Sequence, residues 1–267
     1  MKTIIQFFVI FISLTSLSRA QIGDSSIVAK FERHSFTHDT TTLNYRLFKP
    51  AVIQESKNYP LILTIHGAGE RGNDNEKQIA WHGIATAWAD SAAQERNPCF
   101  ILSPQCPEGN RWVDADWTPG YYNQDTVQMS NELQTVHKLI QQIISDYPID
   151  TNRLYITGLS MGAQGAWDFI TRYPDLFAAA IPMSGGGDPK KMERIKHLPL
   201  WVFHGTMDKA VSVNGLRKVV TALKSHGSNV IFTELADGQH VIWKPLYENR
   251  LLQDWLFSQN NEPHDNK

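Results

Sequence analysis

Ser160 lies in Gly158-Leu159-Ser160-Met161-Gly162, a G-x-S-x-G run. Ahead of it, Leu154-Tyr155-Ile156-Thr157 is an apolar stretch of strand length. Behind it, residues 162–173 have helical spacing and stop at Pro174. A serine on a sharp strand-to-helix turn is lifted clear of a sheet, and the flanking glycines keep side chains out of the crowded space beside it. The new helix aims free amides and the positive end of its dipole at the same point. That combination suits acyl transfer, in which a hydroxyl attacks a carbonyl carbon and backbone amides receive the charge. The plainer alternative is a glycine-rich turn whose serine only caps a helix. The two differ in what else they need: a nucleophile requires a base, an acid to orient that base, and a second amide.

Each of these has a candidate. His240 sits in Asp237-Gly238-Gln239-His240, after the last apolar strand-like run, and is expected to be the base. Asp208 leaves the strand Leu200-Trp201-Val202-Phe203 through His204-Gly205-Thr206-Met207, and the order serine, acid, histidine favours it over Asp188 and Asp175. It would fix the imidazole tautomer and stabilise the imidazolium. His66-Gly67-Ala68-Gly69-Glu70-Arg71-Gly72 directly follows another strand, and its small residues let a backbone approach a carbonyl oxygen. The amides of Ala68 and Met161 are the expected oxyanion donors. His66 and His204, each before a glycine at a strand end, read as loop-holding residues, and His197 and His226 as helix-end residues.

These side chains need a frame that brings distant segments together. Residues 27–36 and 42–48 read as two leading strands with no helix between them, followed by a buried strand at 61–65. A helix is expected over 75–94, a strand over 100–103, a helix over 126–147 and a strand over 154–157. After the helix at 162–173 come strands at 177–183 and 200–203, a helix at 213–225, a strand at 230–235 and one closing helix at 243–257. Alternation of this kind predicts an α/β fold: a mostly parallel sheet with an antiparallel leading edge and helices on both faces. Ligands then sit beyond the carboxyl ends of the strands, where every candidate above falls.

The loop at 105–122 carries Trp112, Trp117, Tyr121 and Tyr122 beside Asp114 and Asp116. Such a mixture could stack on a sugar ring and bond its hydroxyls, or simply pack the loop down. Trp112 and Gln105 are the expected substrate contacts. Trp243 is expected in the core of the last helix rather than in a pocket wall.

Bulk properties narrow the context. Lys2, the apolar residues 4–14 and Ser18-Arg19-Ala20 match a secretory signal peptide over 1–20, so a secreted or periplasmic location is expected. Its removal, with Lys2 and Arg19 and no acid, would leave 247 residues at a formal net charge of −4. One catalytic domain over 21–258 and a polar tail over 259–267 follow. The mild acidity gives no electrostatic case for nucleic acid, and no later apolar run is long enough for a membrane span. Cys99 and Cys106 would lie about 20 Å apart on an extended chain, which a turn could shorten to disulfide reach. No spacing suggests a metal site, and no cofactor is needed for the chemistry described.

The set HGAGERG, ILSPQCP with RWVDADW, LYITGLSMGAQGAWDF, PDLFAAAIPMSGGGD, LWVFHGTMDKAV and GQHVIW resembles the secreted bacterial esterase/predicted-peptidase group of α/β-hydrolases. That group is close to the feruloyl and acetyl xylan esterases of carbohydrate esterase family 1, to polyhydroxybutyrate depolymerases and to dienelactone hydrolases. The resemblance covers about residues 60–247. It implies the α/β-hydrolase fold and a catalytic set of Ser160, Asp208 and His240. Where many relatives have a second glycine after the elbow, this chain has Ala163. The expected substrate is a carboxylic ester, in particular a feruloyl or acetyl group on a polysaccharide. The alternatives are a serine peptidase of prolyl-oligopeptidase type and a non-catalytic carbohydrate-binding protein on an inherited hydrolase fold.

Overall fold

The structure, a computed structural model, describes residues 24–261; the expected signal peptide at 1–20 and residues 262–267 of the tail lie outside them. Eight strands form one sheet in the order β1-β2-β4-β3-β5-β6-β7-β8. They are β1 Glu32–His38, β2 Thr41–Phe48, β3 Tyr59–Ile65, β4 Phe100–Gln105, β5 Ile149–Leu159, β6 Ala179–Met183, β7 Trp201–Gly205 and β8 Ile231–Leu235. The pairs β1–β2 and β2–β4 are antiparallel and all others parallel. The expected α/β architecture, with its antiparallel leading edge, is the one observed.

The parallel strands read as unbroken apolar runs because both faces are covered. Alternation is still present beneath that run. Leu61, Leu63, Ile65, Leu154 and Ile156 enter one core layer, whereas Ile62, Tyr155 and Leu159 enter the other. The first layer packs against α5 Asn131–Asp146, α6 Met161–Arg172 and α7 Val213–Ser225. The second is covered by α1 Ser25–Val28, α2 Lys77–Ala80, α3 Thr86–Ala89, α8 Trp243–Tyr247 and α9 Arg250–Phe257, with α4 Ser91–Arg96 beside them. Ile156, wholly buried at the centre of β5, is a position where truncation to alanine would cost about 2–5 kcal/mol.

Four expectations about elements need correction. The helix expected over 75–94 is three short ones, because His82 and Gly83 take positive φ (62° and 73°) and Asp90 starts a fresh helix by accepting from the amides of Ala92 and Ala93. The closing helix expected over 243–257 breaks where Asn249 caps α9 through the amide of Leu251. Residues 27–28 belong to a helical turn capped by Asp24 rather than to the first strand. Helix α5 starts at Asn131, not at 126, because Ser130 accepts from Leu133 N there. The start of the tail is also held: Tyr155 donates to Gln259 O at 2.7 Å and Asn261 N to Asn152 O at 2.9 Å.

Candidate active site

Ser160 caps α6 at φ 55° and ψ −122°, a region a non-glycine residue occupies only under local constraint, at about 1–3 kcal/mol. The constraint is backbone packing. A Cβ on Gly162 would lie 1.9 Å from Ile65 O, and one on Gly158 2.2 Å from Gly162 O. Ser160 N donates to Met183 O at 2.9 Å, which ties the elbow to the end of β6. The turn is therefore clamped between the ends of β3 and β6.

The loops after β7 and β8 are fastened to each other. Met207 N donates to Gly238 O at 2.8 Å and Asp237 N to Thr206 Oγ1 at 3.0 Å. Gly205 permits this approach, since a Cβ there would meet Gln239 O and Gly238 O at 2.3 Å. The result brings together three side chains from three strand ends. His240 Nε2 is 2.9 Å from Ser160 Oγ, and His240 Nδ1 is 2.7 Å from Asp208 Oδ2. A carboxylate can only accept, so Nδ1 carries the proton and Nε2 keeps a lone pair toward the serine; the tautomer follows from the partners. The imidazole is held edge-on to Trp243, at 5.2 Å and 82°, while its backbone carbonyl accepts from Ser184 Oγ at 3.1 Å.

The Asp208 carboxylate is buried, which by itself raises its pKa. Hydrogen bonds from His204 and His240, the His240 charge and the Val211 amide outweigh that and hold it well below the usual carboxylate range. Its Oδ1 accepts from the amides of Ala210 and Val211 at 2.8 and 2.9 Å. The competing acids are engaged elsewhere. Asp188 caps a 3-10 turn through Lys190 N and also accepts from Gln124 N. Asp175 is exposed beside His197.

Ala68 opens a 3-10 turn, Ala68–Glu70, and Met161 opens α6. First residues of helical turns have no carbonyl behind them to receive their amides, so these N–H groups are free for a ligand. Gly67 seats the first turn against Leu159, with its virtual Cβ 2.8 Å from Leu159 Cδ1. Beneath the loop, His66 Nε2 accepts from Cys106 N at 2.9 Å, so its protonated Nδ1 donates to Gly67 O at 2.6 Å. Burial pushes the His66 pKa down, in keeping with a neutral structural imidazole. Among the described residues no group of three or more His, Cys, Asp or Glu side chains is placed to hold a metal ion.

The expected substrate contacts need correction. Trp112 is wholly buried and donates through Nε1 to His66 O at 2.9 Å, with Cβ and ring against Gly165. Gln105 is buried too, accepting from Asn75 N and donating to Glu70 O and Asp74 Oδ1. Neither presents a face to a ligand. The remaining aromatics of that loop are also occupied. Tyr122 donates to Asp168 Oδ1, Arg111 covers Trp117 at 4.6 Å, and Lys218 lies over Tyr121 at 4.4 Å. Trp243 is buried, as expected of a core residue, yet it also braces His240. Cys99 and Cys106 are free and buried, and burial pushes the Cys99 thiol up to about 12.

Two contributors escaped the sequence reading. Ser184, at φ 57°, links Trp243 Nε1 to the His240 carbonyl; it lies in the quoted run PDLFAAAIPMSGGGD, where nothing marked that role. Glu70, buried in the loop after β3, faces His82 Nε2 at 3.1 Å; a histidine inside the apolar run around His82 was the available signal.

Residues 49–249 match the family described as phospholipase/carboxylesterase. Among curated proteins, a poly(3-hydroxyalkanoate) depolymerase of Paucimonas lemoignei is 28% identical over 62% of this chain and 36% of its own length. A bifunctional acetylxylan esterase/xylanase of Neocallimastix patriciarum is 26% identical over 58% of this chain and 20% of its own. The chain thus spans about a third or less of these relatives. The crystal structure of a thermostable esterase, 40% identical, superposes with a TM-score of 0.81 over 88% of this chain and 64% of that one.

Proposed function

We propose, from the premise that this chain belongs to the phospholipase/carboxylesterase family, that Ser160 is its nucleophile, His240 its general base and Asp208 the acid orienting that base. The protein is a serine hydrolase of carboxylesterase type. The observation that carries the residue assignment is the unbroken relay from Ser160 Oγ through His240 to Asp208, with links of 2.9 and 2.7 Å.

In the proposed reaction Ser160 Oγ bonds to the acyl carbon as its proton passes to His240 Nε2. Asp208 holds the resulting imidazolium at Nδ1. The carbonyl oxygen becomes an oxyanion facing the amides of Ala68 and Met161, each donor being worth about 3 kcal/mol of barrier. His240 then gives the proton to the departing alcohol oxygen, the C–O bond breaks and an acyl-enzyme remains. Water, deprotonated by His240, attacks that ester and releases the acid, with the proton returned to Ser160.

The proposed substrate is an ester on a polysaccharide, of feruloyl or acetyl type, met outside the cytoplasm after cleavage behind Ala20. The leader pattern and a relative named acetylxylan esterase support this reading. Among the described residues no helix is long and apolar enough to cross a membrane. A catalytic domain over 21–258 is part of the same proposal. The test is a panel of p-nitrophenyl esters, methyl ferulate, acetylated xylan and peptide anilides, with a Ser160→Ala control and fluorophosphonate labelling. Ester turnover lost with Ser160 is the expected result. Anilide turnover without ester turnover would favour a peptidase, and an unlabelled Ser160 a binding protein. Amino-terminal sequencing of exported protein should begin at Gln21.

A further inference from the structure

His204, next to last in β7, is wholly buried, and nothing in the reaction above uses it. Its Nε2 is 3.0 Å from Asp208 Oδ2, the same oxygen that His240 Nδ1 approaches at 2.7 Å, and 3.0 Å from Val211 O. A nitrogen facing a carboxylate and a carbonyl must carry a proton, and that single N–H, bonded to Val211 O, also lies against the Oδ2 that His240 bonds. His204 Nδ1 is left buried and without a partner. Across the sheet its register neighbour on β8 is Glu234, which Arg217 of α7 binds.

We propose that His204 is a positioning residue for the catalytic acid: its N–H, shared between Val211 O and Asp208 Oδ2, fixes the carboxylate against His240 and shares its charge. The proposal rests on the assignment of Asp208 and His240 given above. A loop holder needs only the bond to Val211 O. The contact with Asp208 makes a further demand, because whatever His204 withdraws from Oδ2 is not available to the imidazolium of His240. Without that donor, the carboxylate holds the imidazolium more strongly but less accurately.

The test compares His204→Phe, of similar size with no donor, with His204→Gln, which keeps an N–H. For His204→Phe we expect kcat on a p-nitrophenyl ester to fall about 10- to 100-fold with KM nearly unchanged, as for small displacements of a catalytic group. The acid limb of kcat/KM should move to higher pH. His204→Gln should restore most of the rate and return the limb toward its wild-type position. A folded His204→Phe enzyme with wild-type kcat and an unmoved limb overturns the proposal, and so does a rate loss with an unmoved limb. If His204→Phe does not fold, His204→Leu is read by the same rate and pH limb, beside nitrogen-15 shifts of the histidine rings in the wild-type protein. Protonated Nε2 at His204 is expected, and a bare Nε2 with protonated Nδ1 overturns it. Fluorophosphonate labelling of wild-type Ser160 separates the two readings. A labelled serine with an indifferent His204 removes only this inference, whereas an unlabelled serine removes the catalytic assignment itself.

Discussion

Two loop regions rise from the sheet, and they use rare residue types in opposite ways. The turns after β3, β5, β7 and β8 hold Ser160, Asp208, His240 and the glycines around them. There the backbone is so tight that virtual Cβ atoms at Gly158, Gly162 and Gly205 would fall within 2.3 Å of carbonyl oxygens. The segment between β4 and α5 holds two tryptophans, two tyrosines and free-looking carboxylates, yet its aromatics are buried or covered by cations. A motif that constrains the backbone restricts what the chain can do at that point. A motif made only of side-chain composition does not, because tryptophan serves a core as well as a pocket.

The sharpest way to break this contrast is Ser160→Ala. If the tight region is the reactive one, the variant should lose about a thousandfold or more in kcat while its melting temperature stays near wild type, since alanine keeps the Cβ and the strained φ. Ester-hydrolysis rates and a thermal melt read both. Retained turnover would move the chemistry elsewhere.

Trp112→Ala probes the other side. With the indole wholly buried, hydrogen-bonded to His66 O and packed on Gly165, truncation should cost about 3–5 kcal/mol of stability. Denaturant melts measure the loss. KM of whatever folded enzyme remains should change little, whereas a KM effect with intact stability would restore Trp112 as a substrate contact.

These two positions also show how far the sequence was legible. The order of strands and helices, the elbow and the convergence of three chemistry-bearing residues could all be read, because each is tied to a period or to a strand end. Trp112 and Gln105 were misread because burial depends on partners 30 or more residues away, Asn75 N and His66 O among them. The broken helix over 75–94 went unseen for a related reason. Residues 86–89 are all buried, so there is no polar face to mark a period, and the break at His82 uses a positive φ that histidine only rarely adopts.

An acid-stability comparison should give a smaller effect. The Asp208 carboxyl is held well below its unfolded value, so its contribution to stability is complete above the unfolded pKa, at about pH 4, and is lost as pH falls through the folded one. Asp208→Asn removes that ionisation. The stability difference between wild type and variant should therefore narrow progressively below about pH 4. Urea melts at a series of pH values between neutrality and strong acid would show it, and a constant difference would mean that Asp208 is not selectively held as the anion.

Trp117→Ala is expected to matter least. Its ring is half-buried, with the Arg111 guanidinium 4.6 Å from the ring centre, and Arg111 is itself held by Ala115 O. Losing that contact should cost about 0.5–1 kcal/mol, the usual size of an exposed cation–π pair. No sugar can stack on the covered face without displacing Arg111, so KM for acetylated xylan and for a p-nitrophenyl ester should both stay near wild type. Because only the xylan substrate carries a polysaccharide, the variant's change in KM on one substrate relative to the other isolates a role in sugar binding from any general loosening of the loop. A rise in KM confined to the xylan substrate would show that Arg111 swings away when the polymer binds. The segment between β4 and α5 would then join the site, and the contrast between the two regions would hold only for the unliganded protein.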